Sequence, residues 1–295
     1  MRFIPIISLL AILMYFPVSA QSACSGATCC TVSSGVTTAP SNDSCETEPV
    51  SYGITLYEKY LCTSAPTTPL SVVDSGGPRA YDLSVGTTCF KTFDSSDGST
   101  VDMSSTSTNL NFDGTFTRPP NGVYTHGVML IKNEFRIKQD FEFSSESITG
   151  DAGGEGKYCV TTSNTGAEAD GNSMTCSATD GATPGIFTSI MSTFSGSCGS
   201  FDATADFTFT SGDKIEAWLL NTSNQTAFNC TEVVAKDRLF GLQTFSIPVV
   251  VTELTSGFDM AFGASSGSSL WQNGPGGTYS TGSGPFKVII TPINY

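Results

Sequence analysis

The chain is predicted to be all-β: an antiparallel β-sandwich of jelly-roll kind, stapled by disulfides, with little or no helix. Three observations predict it. Apolar residues recur with a period of two, as where Val50, Tyr52, Ile54 and Leu56 alternate with Ser51, Gly53 and Thr55; that period belongs to half-buried strands. The intervals between such runs are rich in Gly, Pro, Asn, Asp and Ser, the residues of tight turns. Ten cysteines occur in 295 residues, an even number that in an oxidising compartment reads as a disulfide framework.

The elements follow in order. Met1-Arg2 is basic, Phe3 to Val18 is almost wholly apolar, and Val18-Ser19-Ala20 offers small residues; residues 1–20 are expected to be a cleaved signal peptide. Residues 21–49 read as a Cys-rich N-terminal arm. From residue 50 to 295 the chain reads as the β-sandwich domain, either one unit or two sub-sandwiches divided near 145–185. Strands are expected at 50–56, 87–93, 157–162, 186–194, 241–252, 257–263 and 285–293. The stretch 122–144 reads as a long-armed hairpin turning at Asn133-Glu134, and 207–219 as a second hairpin turning at Ser211-Gly212-Asp213. Only Glu232–Phe240 has the character of a short helix. No later apolar run is long enough to cross a membrane as a helix, so the mature chain is expected to have no transmembrane segment.

The cysteines are Cys24, Cys29, Cys30, Cys45, Cys62, Cys89, Cys159, Cys176, Cys198 and Cys230. Proximity suggests that the first four bond among themselves, followed by Cys62–Cys89, Cys159–Cys176 and Cys198–Cys230. Zinc is the competing use of so many thiols, but there is no C-x-x-C pair and only His126 to complement them.

Charge narrows the field of functions. There are 27 acidic against 13 basic residues, for a formal charge of −14, and nucleic acid is excluded as a partner because phosphate contacts need clustered Lys and Arg. One histidine weakens every imidazole-based mechanism. Gly263-Ala-Ser265-Ser-Gly267 matches G-x-S-x-G, yet that motif needs a strand-to-helix elbow and a downstream His, and His126 lies far upstream.

Two weaker site patterns remain. Asp94, Asp97 and Asp102 fall in a turn-rich stretch able to offer hard oxygens, so a structural calcium is the one cofactor the sequence suggests. The competing reading is that Asp-Gly pairs there only make turns. Trp271 and Tyr279 sit in the Gly-rich segment 263–285 as a stacking surface for a sugar ring, against the alternative of a hydrophobic plug. No carboxylate pair stands out as catalytic.

The leading expectation is therefore an exported, extracellular structural or adhesive protein. It would be exposed at the cell surface or assembled into a filament, appendage or coat, with self-association or other surface proteins as partners. The alternatives are a secreted glycan-binding module and, behind it, a polysaccharide-active enzyme.

Overall fold

A computed structural model describes residues 29–41, 44–68, 79–83, 88–104, 110–167, 171–191, 207–226 and 236–295. The expected signal peptide, Cys24, Cys198 and Cys230 lie outside the described residues. Within them the chain is all-β and has no helix. Arg238–Phe240, expected at the end of a short helix, are strand. The reason is that Leu239 and Phe240, adjacent in sequence, are buried in different clusters, which a strand allows because successive side chains point to opposite faces.

The first part of the chain supplies β1 (Val32–Ser33), β2 (Val36–Thr37), β3 (Ser44–Thr47), β4 (Ser51–Cys62), β5 (Arg79–Ala80) and β6 (Cys89–Ser104). The middle supplies β7 (Thr115–Phe116), β8 (Gly122–Lys132), β9 (Phe135–Lys138), β10 (Asp140–Phe143), β11 (Tyr158–Thr161), β12 (Thr165–Ala167), β13 (Met174–Ser177) and β14 (Phe187–Ile190). The last part supplies β15 (Phe207–Thr208), β16 (Lys214–Leu220), β17 (Gln225–Thr226), β18 (Arg238–Val251), β19 (Thr255–Gly263), β20 (Ser268–Gln272), β21 (Tyr279–Ser283) and β22 (Lys287–Asn294).

The main sheet is organised around β4. One edge of β4 pairs with β6 from Ser51 to Cys62. Its other edge is shared: β9 pairs near the start of β4 and β8 near its end, both antiparallel to it. From β8 the sheet continues to β18, β16 and β15; from β9 it continues to β14 and β12. Because β8 and β9 run the same way along β4, Asn133-Glu134 does not reverse the chain. The hairpin expected over 122–144 is instead one strand interrupted at those residues. Asn133, 2% exposed, is held there by its side chain: Nδ2 donates to the carbonyls of Met191 and Lys236, at 2.8 and 2.9 Å. The hairpin expected at 207–219 is present as β15 and β16. Gly212 makes its turn with φ 86°, a left-handed conformation that costs glycine little.

Smaller sheets pack against this one. They are β1-β2-β10-β11-β13, β21-β20-β3, the pair β19–β22 and the pair β17–β5. Pairing is antiparallel except for β2 with β10 and β12 with β14. The N-terminal strands are thus woven into the rest, with β2 on β10 and β3 on β20. Residues 158–177 belong to the same sheet as β2, through β11 and β13.

Disulfides join Cys30–Cys45, Cys62–Cys89 and Cys159–Cys176, and Cys29 is also disulfide-bonded. The second and third join residues directly opposite one another in antiparallel strands, where Cβ atoms already stand close.

Each face of the main sheet carries a buried cluster. Leu56, Ile131, Leu219 and Leu239 belong to a cluster that also contains Met260, Phe286 and Val288 of β19 and the β22 region. Leu130, Trp218, Phe240, Tyr60 and the Cys62–Cys89 pair form a second cluster on the opposite face. A third lies in the small sheets around Phe141, Phe143, Leu270 and Tyr279.

Candidate functional site

The site is a cavity in the inner face of the main sheet, and the strand register explains why it is there. Four strands, β4, β8, β18 and β16, lie side by side, so directly opposed residues form rows across them. One inner row is Leu56, Ile131, Leu239 and Leu219, large side chains that fill the space above the sheet. The next inner row is Lys59, Met129, Gly241 and Ala217, where two of four positions carry almost no side chain. The third is Leu61, Gly127, Gln243 and Ile215. Protein interiors are normally filled to crystal-like density; here the floor is left low.

The result is a cavity of about 570 Å³, within the usual range for small-molecule sites. Its floor is the row of Lys59, Met129, Gly241 and Ala217; its roof comes from Phe286, Val288 and Ile290; its side wall comes from Glu46, Ser269 and Trp271. Ser44 and Asn273, both exposed, mark the solvent side. A Cβ added at Gly241 meets only Leu239 and the Met129 carbonyl within 4 Å, at 3.8 and 4.0 Å, so that position is not crowded.

Gln243 holds the roof over the floor. Its Nε2 donates to the Val288 carbonyl at 3.0 Å, and its Oε1 accepts from the Val288 N–H at 2.8 Å. The side-chain amide thus takes the part of a neighbouring strand on β22, satisfying a buried donor and acceptor that would be costly to leave unpaired. A second tie lies beside it. Asp213 accepts from Lys287 Nζ at 2.7 Å, from Ser211 Oγ at 2.6 Å and from the Ser246 N–H at 3.0 Å. Burial alone would push the Asp213 carboxyl up, but these donors outweigh it and hold the group at about 2.

Lys59 is the charged residue of the floor. It is 6% exposed, and its Nζ donates to the thioether sulfur of Met260 at 3.2 Å. Burial lowers it to about 7, because a low-dielectric surrounding disfavours the ammonium. Its inward direction comes from a bulge. Tyr52, Ile54 and Leu56 point inward, and continued alternation would send residues 58 and 60 inward next. The register shifts between Leu56 and Glu58, so Lys59 and Leu61 turn inward while Glu58, Tyr60 and Cys62 turn outward. One extra residue in a strand reverses the faces of everything beyond it.

The residues singled out from sequence fall elsewhere or apart. Trp271 pairs with Ser280 and Tyr279 with Gln272 across the hairpin of β20 and β21. Trp271 and Tyr279 therefore stand on opposite faces and do not form one stacking surface. Trp271 lines the cavity, whereas Tyr279 is buried against Phe143 and donates to the Pro40 carbonyl at 3.1 Å. The stretch 94–102, expected as an acidic loop, lies wholly within strand β6. Asp94 pairs with Lys91 at 2.7 Å and Asp102 with Arg136 at 3.0 Å, while Asp97 is exposed. Among the described residues no group of three His, Cys, Asp or Glu is placed to hold a metal ion.

His126 stands on the outer face in register with Cys62 and Thr244, its Nδ1 2.8 Å from Thr125 Oγ1. The segment around Ser265 links β19 to β20 without a helix, so the elbow that G-x-S-x-G requires is not formed. Lys59, Gly241, Ala217 and Gln243 were not marked by sequence reasoning. The one available signal was a lysine in the otherwise strand-forming run Ile54–Cys62.

Compared with known proteins, the chain matches no family model, no curated protein and no solved structure.

Proposed function

We propose that this protein is an exported binder of a small, largely apolar molecule, which it holds between the main sheet and the β22 roof. The observation that carries the reading is the cavity of about 570 Å³ whose floor is kept low by Gly241 and Ala217. Pockets of this size lined mainly by apolar side chains, with few polar groups, suit small ligands. The disulfides suit an oxidising, extracellular compartment. No described helix is long and apolar enough to cross a membrane.

The test is binding of a neutral apolar reporter, N-phenyl-1-naphthylamine, followed by its fluorescence gain. Saturable binding at one site per chain is expected. Ala217→Leu or Gly241→Leu should fill the floor and weaken binding about ten-fold or more, since a buried leucine occupies space the ligand needs. Reporter binding that is absent, or that survives both substitutions unchanged, counts against the cavity.

The expectation of a surface or filament subunit stands as a second reading, favoured by a specific feature. Ile247, Leu254 and Tyr295 are 83%, 61% and 96% exposed. Val123 and Val250, cross-strand partners, are exposed beside one another. Exposed apolar strips of this kind mark contact surfaces when they are contiguous.

A further inference from the structure

We propose that the ligand carries a carboxylate head, and that Lys59 is the residue that binds it. This deepens the cavity reading and rests on it. The argument begins with charge. Lys59 lines the cavity, is 6% exposed, and its Nζ has one hydrogen-bond partner among the described residues, the Met260 thioether. A thioether is a weak acceptor, and an ammonium has three donors to satisfy. Buried charges are otherwise paired or neutralised. A carboxylate entering this cavity supplies the missing partner, and the apolar walls supply the rest of the binding.

The surrounding groups do not compete for it. From the adjacent strands Lys59 is opposed by Phe93 on β6 and Met129 on β8, and Met260 reaches it from β19. The charged and titratable groups of these elements bind other partners or face solvent. Glu58 and Asp94 both bind Lys91, and Tyr60 donates to Glu58 at 2.7 Å. Lys287 is held by Asp213, and Asp259 is exposed. Glu216 also lines the cavity, but it stands in the outer row with Leu242, Val128 and Tyr60 and has an interaction of its own. Glu46 shares the cavity wall and has an interaction of its own; the Lys59 amine is lowered by burial, with no carboxylate contributing.

The same isolation argues against the other chemistry open to a buried amine. Imine formation with an aldehyde must expel water, with protons moved on and off the carbinolamine, and that needs an acid–base partner at the nitrogen. Met260 is the one side chain among the described residues that the Lys59 ammonium hydrogen-bonds, and burial is the one cause of its lowered pKa. Burial holds the unliganded amine near 7, so pairing with an anion above that pH takes up a proton, and acid binding should weaken as pH rises from 7 towards 10.

The experiment uses two probes that differ only at the head, cis-parinaric acid and its methyl ester, titrated by fluorescence into the wild-type protein and Lys59→Met. At pH 6.5 the wild type is expected to bind the acid about ten-fold more tightly than the ester, a modest figure for a charge-assisted contact. Lys59→Met, of similar volume, should lose that preference while still binding the ester, which also shows that the variant is folded. At pH 9 the wild-type preference should shrink. Equal binding of acid and ester by the wild type, or a preference that survives in Lys59→Met, overturns the assignment to Lys59 and leaves the cavity reading standing on ester binding. If neither probe binds, both readings fall. An aldehyde of similar chain length that is trapped on Lys59 by cyanoborohydride, with no acid preference, overturns the carboxylate in favour of an imine.

Discussion

Lys59 joins the residue scale to the stability of the molecule. Its amine titrates at 10.5 when unperturbed and is lowered to about 7 by burial. Between those values the unfolded chain binds a proton that the folded chain does not, so stability rises with pH across that window, by roughly 1.4 kcal/mol per unit at most. Below about 7 both states are protonated and the penalty is constant. Tyr60 and Tyr81 act in the opposite sense at higher pH. Burial first, then the nearby Glu58, raises both phenols, Tyr81 to about 12. The stability they confer is complete below pH 10 and is lost as pH rises through their folded values. Urea denaturation is therefore expected to show the wild type more stable at pH 9 than at pH 7, by roughly 1–3 kcal/mol. Lys59→Met should flatten that difference and be the more stable protein at pH 7, since a buried unpaired ammonium is replaced by an apolar side chain of similar volume. An unchanged pH slope in the variant would show that the dependence arises elsewhere.

At the scale of elements, the roof strand β22 is held from two sides. Backbone pairing with β19 covers one edge, from Lys287 to Asn294. On the other side, Val288 is satisfied by the side chain of Gln243. Gln243→Leu keeps the bulk and leaves the Val288 N–H and carbonyl buried and unpaired, which should cost about 1–3 kcal/mol. Native-state hydrogen exchange at the Val288 amide should accelerate more than at Met129 in the floor. Equal acceleration at both would mean that the roof and floor open as one unit. Much of this element structure was legible beforehand. Alternation located β4, β11, β14, β18, β19 and β22, and the Ser211-Gly212-Asp213 turn located the β15–β16 hairpin. In the stretch 122–144 the strands were legible but the path between them was not, because Asn133-Glu134 has turn chemistry. Asn133 in fact bonds across to Met191 and Lys236. With both faces of the sheet covered, Leu130 and Ile131 are both buried, so no change of face is visible in the residues themselves.

For the whole molecule, the described disulfides fasten three separate places: the N-terminal strands, the β4–β6 pair and the β11–β13 pair. Proximity in sequence identified the last two correctly, because antiparallel neighbours bring such cysteines opposite one another. The outer surface bears on the second reading. If the exposed apolar residues Ile247, Val250, Val123 and Leu254 mark an assembly surface, sedimentation velocity should show species that grow with concentration. A double variant, Ile247→Lys with Val250→Lys, should then remain monomeric without loss of reporter binding. A wild type that is monomeric at every concentration removes assembly through this face.

The amino-acid sequence by itself determined the class of fold and its chemical setting. Period-two alternation belongs to strands with one buried and one polar face, turn residues cut the chain into short lengths, and paired cysteines suit an oxidising compartment. It also set the expectation against nucleic acid and imidazole chemistry, through a charge of −14 and a single histidine. The site was decided by tertiary structure alone. Its floor is assembled from residues 59, 129, 241 and 217, which become neighbours only when four strands lie in register. Lys59 faces that floor because one bulge beyond Leu56 reverses the alternation on which sequence reading depends. A strand's faces are set by counting in twos, and a single extra residue, invisible in composition, changes which of them is inside.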